Sequence, residues 1–214
     1  PRHFRFLRDQ TVSLEAERLD KLRAIQRMAT EGDDPDDFLR ACVEARMNVV
    51  ISGGTSSGKT ELARRLLWMV EEWHRLALIE DSTELLPGQN NVVSLIAERV
   101  ETSARSADKL LEMTLRLRPD RIILGELRGV EAVTFLEAIN TGHEGSFTTV
   151  HATTARKAVN RLAFLVMRAG MPLTLTEIRD YVLNSIDVIV QTGRIGNERG
   201  ILETYFPALD RESG

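Results

Sequence analysis

A short apolar run that ends in a glycine-rich loop and passes straight into a helical pattern constrains this chain more than any other feature. The stretch NVVISGGTSSGKTELARRLL occupies residues 48–67. Val49, Val50 and Ile51, with the small Ser52, predict a buried strand. Leu62, Leu66, Met69, Val70 and Trp73 recur at three- and four-residue steps and predict one face of a helix. Strand, loop and helix in that order are the setting in which G-x-x-x-x-G-K-[ST] reads as a phosphate site.

The chemistry behind that reading is direct. A phosphate chain is a dense anion, and successive backbone N–H groups at the start of a helix meet it with donors and a positive dipole end. Gly53, Gly54 and Gly58 let the backbone turn sharply and come close. Thr55, Ser56 and Ser57 complete the cradle. Lys59 is placed to reach the outer phosphates and Thr60 to ligate Mg²⁺ through its hydroxyl, with Glu61 beside them.

Two further strands end on acids. Residues 76–79 form an apolar run closed by Glu80 and Asp81, and residues 122–124 another, closed by Gly125 and Glu126. Carboxylates at the carboxyl ends of parallel strands lie where open α/β sheets bind ligands. Glu126 is the expected companion of a phosphate loop, ordering Mg²⁺ or activating the attacking water, although many such enzymes carry aspartate where Gly125 stands. For the first pair, capping of a turn or helix by Asp81 or Ser82 is the alternative.

TGHEGSFTTVHATTA places His143 and His151 on either side of a predicted strand over residues 146–150. Either imidazole can sense a γ-phosphate or shuttle a proton. Two histidines without cysteine supply too few soft ligands for zinc. Arg116, Arg118 and Arg121 cluster at the end of a predicted helix over residues 106–117, where Leu110, Met113 and Leu117 mark one side. One of them can act as a sensor or as a finger into a neighbouring subunit, or all can complement the helix end.

The remainder is ordinary for a globular domain. The 214 residues can bury one full core, and a net charge of −4 suggests no basic nucleic-acid surface, although an acidic total leaves room for a local basic patch. The single cysteine, Cys42, forms no intrachain disulfide and sits on the apolar side of a short helix pattern over residues 35–46. No apolar run is long enough to span a membrane. Residues 1–34 read as an arm or linker helix, with Ser13 as an N-cap and Leu19, Leu22, Ile25 and Met28 on a narrow face, ending in an acidic turn. Residues 35–214 read as one α/β domain: a mostly parallel sheet flanked by helices, closing with a β-hairpin over residues 186–206 and a frayed tail.

The ordered blocks GGTSSGKT, IED, LRLRPDRIILGELRG and NTGHEGSFTTVHA resemble those of the secretion ATPase superfamily, and most nearly the traffic ATPases of bacterial type IV secretion and conjugation machines. The resemblance covers roughly residues 36–206. It implies a RecA-like P-loop domain in a hexameric ring at the cytoplasmic face of the inner membrane. It also implies Mg²⁺-dependent ATP hydrolysis that drives pilus assembly or export, with other secretion components as partners and nucleic acid only as cargo. By motif, Lys59 and Thr60 are the phosphate-loop pair, Glu80 lies in the acidic box, Glu126 is the Walker B glutamate, and His143 and His151 lie in the histidine box. Ser56 stands where the family most often shows glycine, and Glu61 where a second threonine is common. Relatives carry an amino-terminal domain before the motor, so the chain is expected to be a carboxy-terminal motor piece.

Other readings compete. Many type II secretion motors carry a four-cysteine metal module that one cysteine rules out, but pilus retraction motors lack it too. An ATP-binding assembly switch without turnover would need neither Glu126 nor the histidines. A RecA-type nucleic-acid motor fits poorly with the acidic total.

Overall fold

The structure, a computed structural model, describes residues 8–32 and 34–212, with backbone only for residues 8–13 and 211–212. The basic opening of the arm, Asp33 and the last two residues of the tail fall outside the described residues. Helix α1 spans Arg8–Glu31 and already includes Ser13, which is therefore not its N-cap. Leu22 and Ile25 of α1 are buried, as the narrow face predicts.

Helix α2, Pro35–Glu44, starts with proline in its first turn, and the Asp34 carboxylate accepts the Asp36 N–H. Pro supplies the helical φ where no N–H is needed, and acids complement the helix dipole there. Strand β1, Val49–Gly53, follows, then α3, Lys59–Trp68, and β2, Leu76–Glu80. After β3, Val92–Ile96, come α4, Ala107–Leu115, β4, Arg121–Leu124, α5, Glu131–Asn140, and β5, Phe147–Val150. The chain continues through α6, Ala155–Arg168, and α7, Leu175–Ser185, whose Thr174 and Glu177 form a reciprocal capping box. It closes with the hairpin β6, Val188–Ile195, and β7, Glu198–Tyr205, and a short α8, Pro207–Glu212, which takes in the first two residues of the RESG tail.

The strands form one seven-stranded sheet in the order β3-β2-β4-β5-β1-β6-β7, parallel except for β6 with β7. Parallel pairing demands crossovers, and the crossover helices cover both faces. Strand alternation divides the core accordingly. Val50, Ile79, Ile122, Leu124 and Ile189 pack with α4–α7, whereas Val49, Ile51, Leu78, Ile123 and Val190 pack with α1–α3 and α8. Cys42 is fully buried among the latter, and burial pushes its thiol up to about 12.

Two helix faces differ from expectation. Helix α3 ends at Trp68, so Trp73 lies beyond it and is 76% exposed, while Leu67 takes the buried place. In α4 the buried stripe is Leu110, Leu111 and Thr114, and Met113 and Leu117 face outward. The buried edge runs one position along from the periodicity, and Thr114 is accommodated there because its hydroxyl donates to the Leu110 carbonyl at 2.7 Å.

Arg121 is no surface sensor. It is 1% exposed and donates to the carbonyls of Gly145 and Val43 at 3.0 and 2.9 Å, tying together the turns at the amino edge of the sheet. Burial, only partly opposed by Glu71 and Asp120, brings it down to about 10.

Candidate active site

The phosphate loop leaves β1 at Gly53 and enters α3 at Lys59. A Cβ on Gly53 would stand 2.2 Å from Ser57 Oγ and 2.4 Å from Thr192 Oγ1, so no other residue fits there. The crowding comes from a staple: Ser57 and Thr192 hydroxyls are 2.8 Å apart, and Thr192 donates onward to the Ser52 carbonyl at 3.1 Å. From β7, Arg199 Nε donates to the Ser56 carbonyl at 3.0 Å. The C-terminal hairpin therefore holds the loop from behind. Gly58 caps α3 in the left-handed region at φ 99°. Ser56 is left-handed too, at φ 59°, the conformation that a glycine there would adopt without strain. Lys59 Nζ donates to the carbonyls of Gly53 and Gly54 at 3.0 and 2.8 Å. Burial lowers its pKa, partly offset by Glu126.

Across from the loop, the carboxyl ends of β2 and β4 bring up acids and that of β5 brings up His151. Glu80 is 6% exposed, and its Oε1 accepts the N–H groups of Glu84 and Leu85, each at 3.0 Å. Burial raises its pKa, with the two backbone donors opposing. The cap is thus Glu80 itself rather than Asp81 or Ser82. Asp81 instead pairs with Arg99 at 3.0 Å and with Arg128. Glu84 reaches the loop, where Thr60 Oγ1 donates to its Oε2 at 3.3 Å.

Glu126 follows Gly125 at the end of β4. The turn is pinned by Gly125 N–H to Ile79 O, Leu127 N–H to Thr149 O, and Thr149 Oγ1 to Gly125 O, all between 2.8 and 2.9 Å. A side chain at Gly125 would pack directly on Glu80, whose Cα and Cγ lie 3.5 Å from its Cβ position. Glu126 Oε1 lies 3.1 Å from His151 Nε2, and Arg128 Nη2 donates to Oε2 at 2.5 Å. That contact is the largest cause of the raised Arg128 pKa.

These groups enclose a cleft of about 240 Å³ lined by Thr55, Ser56, Lys59, Thr60, Glu80, Glu126 and His151, among others. Its floor offers hydroxyl and carboxylate oxygens, the ligand type that Mg²⁺ takes. Among the described residues no group of three or more His, Cys, Asp or Glu could cage a metal by protein ligands alone. The set suits an ion that keeps waters and binds through one or two protein oxygens plus phosphates.

A family model described as "Type II/IV secretion system protein" matches residues 9–193. The chain belongs to the type II/IV secretion family. The VirB11 type IV secretion protein of Bartonella quintana is 38% identical over 196 residues, covering 88% of this chain and 55% of the relative. The conjugal transfer protein TrbB of Rhizobium radiobacter is 40% identical over 168 residues, covering 77% and 50%. The crystal structure of the VirB11 ATPase of Brucella suis, solved with sulphate, superposes at a TM-score of 0.81 with 33% identity, covering 89% of this chain and 57% of that one. The pilus retraction motor PilT with bound ADP superposes at 0.63 with 25% identity. The fold is RecA-like, as the motif order implies. The chain spans about half the length of the curated relatives it matches.

Within this family fold, most residues singled out from the sequence converge, and some do not. His143 does not. It precedes β5 and sits at the amino edge of the sheet with Nδ1 on the Ala138 carbonyl, whereas His151 follows β5 at the site edge. A single strand separates the two, so they lie at opposite edges. Glu61 points outward, 3.6 Å from Arg64, and borders a groove on the other flank of the loop with Arg199. Ser57 faces Thr192 rather than the cleft. Arg128, two residues after Glu126, was missed, although the block GELRG contained it. Arg199 and Thr192 carried no local signal, since only the fold brings β6 and β7 to the loop.

Proposed function

We propose that this chain is the ATP-hydrolysing motor part of a bacterial type IV secretion or conjugation machine. One observation carries the reading: Lys59 and Thr60 of the phosphate loop meet Glu80, Glu126 and His151, from the ends of three other strands, at a single cleft. A binding loop alone needs no such ring of acids. Residues 1–34 act as the connecting arm and residues 35–214 as the ATPase domain.

The reaction is in-line attack of water on the γ-phosphate. Gly53 to Gly58 present backbone donors to the phosphate chain. Lys59 leaves its two carbonyls for the phosphate oxygens and neutralises developing charge. Glu126 or Glu80 holds the attacking water, and the one that holds it accepts its proton. His151 donates from the same edge to Glu126 or to the γ-phosphate. Thr60 and Glu126 would hold Mg²⁺, either directly or through water, and when bound that ion neutralises the β- and γ-oxygens. His143 takes no part at this site in its own subunit.

As a family member the chain is expected to work within a homohexamer at the cytoplasmic face of the inner membrane, alongside other secretion components. Nucleic acid is at most a cargo. No described helix is long and apolar enough to cross a membrane.

ATP turnover and ATP binding, measured on this chain and on a form extended upstream with mass determined in solution, test the reading. Turnover by a hexameric extended form is expected. Binding without turnover in both forms would favour an assembly switch instead.

A further inference from the structure

The Arg128 guanidinium bridges two carboxylates just beyond the ends of different strands, Glu126 after β4, at 2.5 Å, and Asp81 after β2. Its backbone does not move freely: the N–H groups of Arg128 and Gly129 both donate to Glu131 Oε1, at 2.6 and 2.8 Å, and Glu131 is buried. The side chain is another matter. It is 44% exposed and lines the same cleft as Lys59 and Thr60. Glu126 meanwhile has one oxygen on His151 and the other on Arg128. With both oxygens taken, a Glu126 that holds the attacking water must first lose one of these partners.

We propose that Arg128 is a γ-phosphate sensor within its own subunit, which exchanges Glu126 for the terminal phosphate and thereby frees Glu126 to hold the attacking water. The planar fork of arginine matches phosphate oxygens in pairs, and a terminal phosphate carries more charge than the single carboxylate it displaces. Asp81, itself held by Arg99, keeps the guanidinium at the mouth of the cleft during the exchange. The arrangement makes a free Glu126 oxygen conditional on the group that is to be cleaved. ADP, which lacks that group, leaves the clasp in place. The inference rests on the ATP-hydrolysing reading above.

The test is equilibrium binding of a non-hydrolysable ATP analogue and of ADP to the full chain, in the wild type and in Arg128→Ala, Arg128→Lys, Glu126→Gln and the Arg128→Ala/Glu126→Gln double variant. Lys59→Ala serves as the control, and thermal unfolding is recorded for each. Arg128→Ala is expected to lose on the order of tenfold in analogue affinity with ADP affinity unchanged, and Arg128→Lys to fall between. Glu126→Gln releases the guanidinium and tightens the analogue severalfold, a gain that disappears in the double variant. An equal loss for both nucleotides, or none, would overturn the proposal and leave Arg128 a structural ion-pair partner. So would a Glu126→Gln gain that persists without Arg128, because simple charge removal explains it. If the wild type binds neither nucleotide, the ATP reading fails first. If the wild type binds both and Lys59→Ala abolishes both, that reading stands whatever Arg128 does.

Discussion

Glu80 Oε1 accepts the backbone N–H of Leu85 at 3.0 Å, so a carboxylate of the cleft also builds the turn beneath it. The two duties separate by substitution. Glu80→Ala strands two N–H groups and should cost about 1–3 kcal/mol. Glu80→Gln keeps an acceptor oxygen for them and should hold the turn while lowering turnover.

The pH dependence of Glu80 has a definite sign. Burial raises its folded pKa, so its favourable contribution is complete below the ordinary carboxylate range and is lost as pH rises through the folded value. Glu80→Gln should therefore gain stability relative to wild type between pH 4 and pH 7. Denaturant unfolding at both pH values checks it, and a relative loss would show that Glu80 is favoured when charged.

The hairpin staple predicts coupling between a distant strand and the loop. Thr192→Val keeps the shape but leaves the Ser57 hydroxyl and Ser52 carbonyl without their partner. It should cost about 1–3 kcal/mol and weaken nucleotide binding severalfold. Gly53→Ala meets the same two side chains sterically and should be worse on both counts. Calorimetric binding and thermal unfolding, measured together, decide whether the staple matters to the site.

Ser56 occupies the left-handed region without being glycine. A residue with a Cβ there is strained by about 1–2 kcal/mol, some of which glycine gives back as unfolded-chain entropy. Ser56→Gly should then stabilise by up to about 1 kcal/mol, roughly 2–4 °C for a domain of this size. A lower melting temperature would mean that the serine side chain contributes more than the strain removes.

Arg18 of the arm grips Asp187 through both oxygens, at 3.2 and 2.7 Å, and Asp187 also accepts the Asn48 N–H at the start of β1. Burial raises the Asp187 pKa against the pull of Arg18. Arg18→Ala leaves a carboxylate 14% exposed without its cation and should cost about 2–4 kcal/mol at neutral pH. The penalty should shrink as pH falls through the Asp187 pKa, because the neutral acid needs no partner. Unfolding free energies at neutral and acid pH measure it.

Much of this architecture was legible because parallel strands buried on both faces read as short apolar runs with acids at their ends. Residues 76–79 and 122–124 announced β2 and β4, and with them Glu80 and Glu126. Trp73 was misplaced because periodicity continues on paper after a helix has ended. His143 lies away from the phosphate loop because β5 separates the two histidines, and only the residue after that strand shares an edge with the loop. Thr192 and Arg199 were beyond reach, since their partners are set by the pairing of β6 with β1 and no local pattern encodes it.

Glu126 is expected to serve hydrolysis rather than binding. ATP binding and steady-state turnover of Glu126→Gln beside wild type, at saturating ATP with Mg²⁺, test it most directly. Binding retained or tightened, with turnover reduced on the order of a hundredfold or more, is the predicted result. Turnover at the wild-type rate would contradict it.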